Sequence, residues 1–268
     1  MAGLIILVLE SDIESIDMRR NILIIMALCF LATFSSCKKA PLTVGPIVTQ
    51  TRELPDFNEL RLNDNINISL VRSDTCYIVI KSGKNIIDNI TTNVSSGVLS
   101  ICNTTTLNWI RPYDYELSAT LYFKDIRNLI FSSSGALTTA NNYTGQLTPG
   151  NFYRLEVDDG SGDLDLNISN CKEFRVVYKF GVSRLTIHGE NNTNLSIYKK
   201  SYGIIDAQDY EAQSVDITNN SQGDCYINAQ KTINAEINHC GNIYYKGDPD
   251  SIQVTKGPFA KGELLPLN

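Results

Sequence analysis

The stretch Asp158-Asp159-Gly160-Ser161-Gly162-Asp163-Leu164-Asp165-Leu166 lies in the middle of a 268-residue chain and sets the reading of its second half. Downstream, a small residue succeeded by apolar residues two and often four places on keeps returning. The copies are Gly162/Leu164/Leu166, Ser183/Leu185/Ile187, Gly203/Ile205/Ala207, Gly223/Cys225/Ile227 and Gly241/Ile243/Tyr245. Gly262/Leu264 is a last partial copy before Pro266, and Gly135/Leu137 fits upstream. From Gly162 the steps are 21, 20, 20, 18 and 21 residues. A fixed period near 20 marks a repeat architecture, in which one unit cannot bury its apolar face alone and must stack on the next.

Each unit reads as a strand, a tight turn at the small residue, and a second strand. Units this short stack as parallel strands about 4.8 Å apart, with connections expected to be right-handed. The predicted fold is all-β, a right-handed parallel β-helix of about 20-residue rungs, with a less regular β N-terminal part. One inward ladder would be Leu164-Leu185-Ile205-Cys225-Ile243, and the turn glycines are expected to supply positive φ. The competing architecture, an antiparallel sandwich, also uses short strands but does not require one register.

Before the repeats, Ile66, Ile68 and Leu70 alternate with Asn65, Asn67 and Ser69, the period of a half-buried strand. Val98–Ile101 reads as a strand after a Ser95-Ser96-Gly97 turn. From Leu107 to Phe123 the chain is at its most aromatic, and Tyr113, Tyr115, Leu117, Ala119, Leu121 and Phe123 share one face. Trp109, Tyr113 and Tyr115 are candidates for a sugar-stacking platform; the strict alternation favours core packing for the two tyrosines.

The N-terminus reads as an address. Met18-Arg19-Arg20-Asn21 precedes an apolar run from Ile22 to Phe34 that ends in Ser35-Ser36-Cys37-Lys38-Lys39, the layout of a secretory signal. The run falls short of the about 20 apolar residues a membrane-spanning helix needs. Ser-Ser-Cys resembles a bacterial lipobox, with Cys37 as the lipid-bearing residue; an ordinary signal peptide is the alternative. Residues 1–17 carry Glu10, Asp12, Glu14 and Asp17 where a signal should be positive, so translation is expected to start at Met18. The predicted organisation is 1–17 a start-site misassignment, 18–36 a lipoprotein signal, 37–52 the lipidated cysteine and a tether, and 53–268 the β domain.

With 23 basic and 29 acidic residues the net charge is −6, and no basic stripe suggests a nucleic-acid partner. Without Cys29 and Cys37, five cysteines remain (Cys76, Cys102, Cys171, Cys225, Cys240), an odd number with no Cys-x-x-Cys spacing. Neither a disulfide framework nor a zinc site is indicated.

Taken together, Phe57-Asn58-Glu59-Leu60-Arg61-Leu62, Asn85–Thr92, Ser133-Ser134-Gly135, Gly160-Ser161-Gly162 and the closing Gly241–Pro249 resemble the auto-transporter adhesin head family, the GIN domain, found largely in Bacteroidetes. The resemblance covers roughly Arg52 to Gly262. It implies a right-handed β-helix and an adhesin-like role, and it brings no catalytic motif.

Asp163 and Asp165 are the remaining candidates for a binding site, because carboxylates among glycines suggest a calcium loop. In the repeat register, however, Asp163 sits beside Arg184 one rung away, and Asp165 and Asp206 are two rungs apart, about 9.5 Å, too far to share an ion held at about 2.3–2.6 Å. No metal or cofactor is expected. His188 and His239 lie on different repeats and no nucleophile–base set is visible, so catalysis is not expected. The expected protein is a lipid-anchored envelope protein of the outer membrane, held there by its N-terminal lipid, with a β-helical domain that binds a glycan or protein. Lys38-Lys39 leaves the face of the membrane it occupies open. The alternatives are a periplasm-facing structural or sensing module and a carbohydrate-active enzyme.

Overall fold

The computed structural model describes residues 43–106, 115–140 and 152–267. The chain divides into Met1–Thr43 and Val44–Asn268, and the second unit carries the fold. The described residues are all-β apart from one 3-10 turn at Ile87–Asn89.

Two parallel ladders run through the second unit. The first contains β2 (Glu59–Asp64), β6 (Val98–Asn103), β8 (Asn128–Ser133), β10 (Phe152–Val157) and β12 (Glu173–Tyr178). It continues through the second halves of β13 (Leu185–Lys199), β14 (Ile205–Asn219) and β15 (Cys225–Ile237) to β17 (Ser251–Lys256). The second contains β3 (Asn67–Arg72), β7 (Leu117–Phe123), β9 (Leu137–Thr139) and β11 (Leu164–Asn167). The first halves of β13, β14 and β15, then β16 (Ile243–Lys246) and β18 (Leu264–Pro266), complete it. A single long strand thus serves both ladders, bent between them where the register shifts, as between Gly189 and Asn192.

The ladder read from the sequence is present pair by pair. Leu137 pairs with Leu164, then Leu185, Ile205, Cys225, Ile243 and Leu264 continue in register. All but the last are buried. Each such side chain contributes about 1.5–3 kcal/mol through burial, so the ladder is a principal source of cohesion between rungs. Inside the bends, Tyr153, Phe174 and Tyr210 form an aromatic spine with ring centroids 5.4 and 5.8 Å apart.

The first half is less regular because one end of the stack is covered by antiparallel strands. β1 (Ile47–Glu53) pairs antiparallel with β4 (Tyr77–Gly83), and β4 with β7. β5 (Ile90–Ser95) makes a hairpin with β6, whose turn places Ser96 and Gly97 at φ 52° and 79°. Two successive positive-φ residues give the turn whose twist suits a two-residue hairpin. β2 and β3 lie between the β6–β7 pair and the β8–β9 pair.

Three expectations are corrected. The tether does not reach Arg52, because Ile47–Glu53 is strand, held by seven paired residues of β4. The aromatic strand begins at Leu117, with residues 115 and 116 outside it. The repeat glycines do not supply positive φ; among the described residues the positive-φ glycines are Gly45, Gly97, Gly181, Gly189 and Gly247. The repeat glycines are needed for close approach instead. A Cβ on Gly162 would lie 2.0 Å from the Gly135 carbonyl oxygen, on Gly241 2.3 Å from that of Gly223, and on Gly262 2.1 Å from that of Gly241.

Candidate functional site

Because strand side chains alternate and the rungs stack in register, the outward residues of the first ladder fall into columns. Arg175, Ser196, Asp216, Asn234 and Gln253 form one column. Val177, Tyr198, Thr218, Glu236 and Thr255 form its neighbour. Between them the inward residues Ile197, Ile217 and Ala235 are buried and hold the backbone flat beneath the surface. The columns bound an open groove of about 440 Å³.

The groove is polar and internally braced. Asn234 Nδ2 donates to Asp216 Oδ1 at 2.7 Å, and Thr218 Oγ1 donates to Glu236 Oε2 at 3.3 Å. Asn238 Nδ2 donates to Glu236 Oε1 at 2.8 Å. The first two bonds cross from rung to rung, and together the three fix amides and carboxylates as a row of outward acceptors and donors. Tyr198, 39 % exposed, is the aromatic surface within the row, and Arg175 places a cation at one end. Such an arrangement can bind hydroxyl-rich or peptide-like chains; its two acids are held by amide and hydroxyl donors.

The residues singled out from sequence are elsewhere. Asp163 Oδ1 accepts the backbone N–H of Arg184 at 3.0 Å. The expected neighbour is right, but the Arg184 guanidinium turns to the next rung and donates to Asp206 Oδ2 at 2.5 Å. Asp206, whose side chain is 9 % exposed, offers a better desolvated partner. Asp165 meets His188, Oδ1 to Nε2 3.1 Å, a pairing that the periodicity does not indicate. The two carboxylates therefore make separate contacts with the same neighbouring rung. Tyr115 packs partly buried against the core, as the alternation favours, and its hydroxyl has no hydrogen-bond partner among the described residues. Trp109, Tyr113 and Cys37 lie outside the described residues.

Beneath the second ladder's turns lies a polar column inside the stack. Tyr178, Lys199 and Asn219 are paired in register and fully buried. Tyr178 Oη donates to the Ser183 carbonyl at 2.6 Å, Lys199 Nζ to the Asp224 carbonyl at 2.9 Å, and Asn219 Nδ2 to the Gly223 carbonyl at 3.1 Å. Burial lowers the Lys199 ammonium from its ordinary value and pushes the neighbouring Cys225 thiol up to about 11. This is structural chemistry: each tip satisfies a carbonyl that the turn would otherwise leave unpaired.

A signal for the groove exists in the alternation of residues 194–199, 214–219 and 232–237. Aligning these strands across rungs requires the lengths of the bends, which vary.

A rung-built β stack with a columned outer face and internally braced turns defines the class. The chain belongs to the family described as "Putative auto-transporter adhesin, head GIN domain", whose model matches residues 56–249. Among solved structures it is similar to one described as a putative adhesin from Bacteroides fragilis, at 21% identity and TM-score 0.71, covering 83% of this chain and 97% of that one. A second, also described as a putative adhesin, from Parabacteroides distasonis, is 18% identical with TM-score 0.60, covering 83% and 98%. A third, described as a putative lipid binding protein from the same species, is 18% identical with TM-score 0.55, covering 84% and 98%. At these identities the likeness is one of fold. No curated protein matches the chain.

Proposed function

We propose that the protein is a lipid-anchored cell-envelope binding protein of adhesin type, without catalytic activity. In this reading Cys37 carries the lipid, a short tether comes next and ends before β1, and the β domain is a right-handed parallel β-helix, covered at one end by antiparallel strands, that presents its outer face to a glycan or protein. The observation that carries the reading is the groove over β12–β17, where outward side chains from five strands make one continuous polar row. A stacked fold lends itself to this role, because extended surfaces arise from repetition without dedicated loops. The adhesin family and the neighbours' descriptions support the same direction.

A glycan and matrix-protein binding screen tests it, comparing the wild-type chain with a Tyr198→Ala/Asp216→Ala variant. The expected result is a ligand whose affinity falls at least about tenfold in the variant, equivalent to about 1.4 kcal/mol. A ligand bound equally by both would place the site elsewhere. A Cys37→Ala protein that still partitions with membranes would defeat the lipid anchor.

Lys38-Lys39 after the expected lipid cysteine favours a second reading, a periplasm-facing structural or sensing module. Protease treatment of intact cells separates the two: digestion of the domain supports surface display, and resistance supports the periplasmic reading. Incubation with acidic polysaccharides, with detection of new unsaturated ends, tests the enzymatic alternative.

A further inference from the structure

The first ladder ends at β17, which pairs with β15 along one edge and leaves the other edge open among the described residues. All six residues of β17 are exposed. Ile252 and Val254 continue the inward columns of Ile233 and Ala235, yet stand 41 % and 44 % exposed where the ladder stops. An open edge invites pairing, and native proteins guard such edges with proline, charge or a covering group. Other ends of this stack carry such guards. The Arg52 side chain lies across β5 and donates to the Ile90 and Ile87 carbonyls, and β18 is three residues long and ends in Pro266. β17 has neither proline nor a charge before Lys256.

We propose that β17 is an interface for a second copy of this chain, paired antiparallel about a two-fold axis at Gln253. The occupant is argued from the sequence of the edge. In an antiparallel pair, residues facing each other share one side of the sheet, so the apolar side chains stay together only in a register centred on a residue rather than between two. Centring on Gln253 places Ile252 opposite Val254 of the second copy, Ser251 opposite Thr255, and Asp250 opposite Lys256. Lys256 makes only a long ion pair within its own chain, 3.9 Å to Glu263 with both side chains exposed, a contact it can exchange for Asp250 of the second copy. The same residues thus supply apolar cover at the centre and opposite charge at both ends, the self-complementarity that an isologous interface requires. The outer columns of the two grooves then meet at the axis through Gln253, forming one longer surface.

A cysteine at the axis reads this out. The full chain carrying Gln253→Cys in a Cys240→Ser background is expressed in cells, treated with an oxidising catalyst and run on a non-reducing gel. The proposal expects a disulfide-linked dimer, because facing strand residues lie within the Cα separation a disulfide spans, about 4.4–6.8 Å. Asn234→Cys, one rung further from the axis in the same column, remains monomeric. Adding Asp250→Lys lowers the dimer yield severalfold, and Asp250→Lys with Lys256→Asp restores it. A monomeric Gln253→Cys, or equal cross-linking of Asn234→Cys, overturns the proposal. Sedimentation of the unsubstituted full chain in detergent gives an independent reading: twice the monomer mass is expected, and a monomer at micromolar concentration overturns it.

Discussion

Gly203 lies directly beneath the hydroxyl of Tyr178: a Cβ at this glycine would sit 2.0 Å from Tyr178 Oη and 2.3 Å from the Ser183 carbonyl oxygen. The same pattern repeats one rung on, where a Cβ at Gly223 would meet Lys199 Nζ at 2.8 Å, and at Gly241, where it would meet Asn219 Nδ2 at 2.8 Å. The glycines of the repeat are thus the complement of the buried polar column.

Gly203→Ala is expected to destabilise the fold by about 3 kcal/mol, the upper part of the range for overpacking in a close-packed interior. For a domain of this size that lowers Tm by roughly 6–12 °C. Tyr178→Phe removes the nearest of the three obstructing atoms, leaving the ring Cζ at 2.5 Å and the Ser183 carbonyl oxygen, so the double substitution should cost somewhat less than the sum of the singles. Additive costs by urea denaturation would show that the contact does not set the requirement for glycine.

Alkaline pH is expected to unfold the protein steeply. Burial pushes Tyr178 up to about 12 and Cys225 up to about 11, and raises Tyr153 and Tyr210 as well. The folded state keeps protons that the unfolded state sheds above pH 9–10. Their contribution is complete below the unfolded values and is lost as pH climbs through the folded ones. Lys199 acts oppositely, since burial lowers it from 10.5 and stability from that group rises as pH approaches the unfolded value. Four groups outweigh one, at about 1.4 kcal/mol per pH unit each within its window. Tyr210→Phe should flatten the decline in urea midpoints between pH 9 and 11. Near neutral pH it should cost nothing or stabilise by about 1 kcal/mol, because the Tyr210 hydroxyl is buried without a hydrogen-bond partner among the described residues.

Arg184→Ala leaves the Asp206 carboxylate without its guanidinium in a site where the Asp side chain is 9 % exposed. The expected cost is about 1–3 kcal/mol. Arg61→Ala breaks a pair with Glu59 whose arginine is 51 % exposed, and should cost no more than about 1 kcal/mol. Equal losses for the two in thermal denaturation would contradict the weight given to burial.

Calcium is expected to leave Tm unchanged. Asp163 is engaged with the Arg184 backbone and Asp165 with His188, so the acidic stretch presents separate contacts. A rise of several degrees in millimolar calcium would reveal a site the geometry does not offer.

Much of the second half is legible in the sequence. The period near 20 and the two-residue alternation together name the inward ladder from Leu164 to Ile243, and each pair forms. The role of the glycines is not legible, because a glycine needed for positive φ and one needed for close approach look alike in a sequence. Arg184 illustrates a similar limit: it lies beside two acids on adjacent rungs, and burial of Asp206 rather than proximity in the repeat directs its guanidinium. The groove is out of reach for another reason. Its columns depend on register shifts in the bends, between Gly189 and Asn192 and between Ala212 and Ser214.

The sequence alone determined that strands alternate, that the units repeat, and which side chains of the second ladder face inward. These properties come from local periodicity, since neighbours two residues apart share a face whatever the chain does elsewhere. Tertiary structure decided what lies outside that periodicity. It paired β2 and β3 between later strands, set Tyr178, Lys199 and Asn219 against the turns, and aligned Tyr198 with Asp216 and Asn234 in one groove. Those relationships join residues a rung or more apart, and only the packing of one rung on the next fixes them.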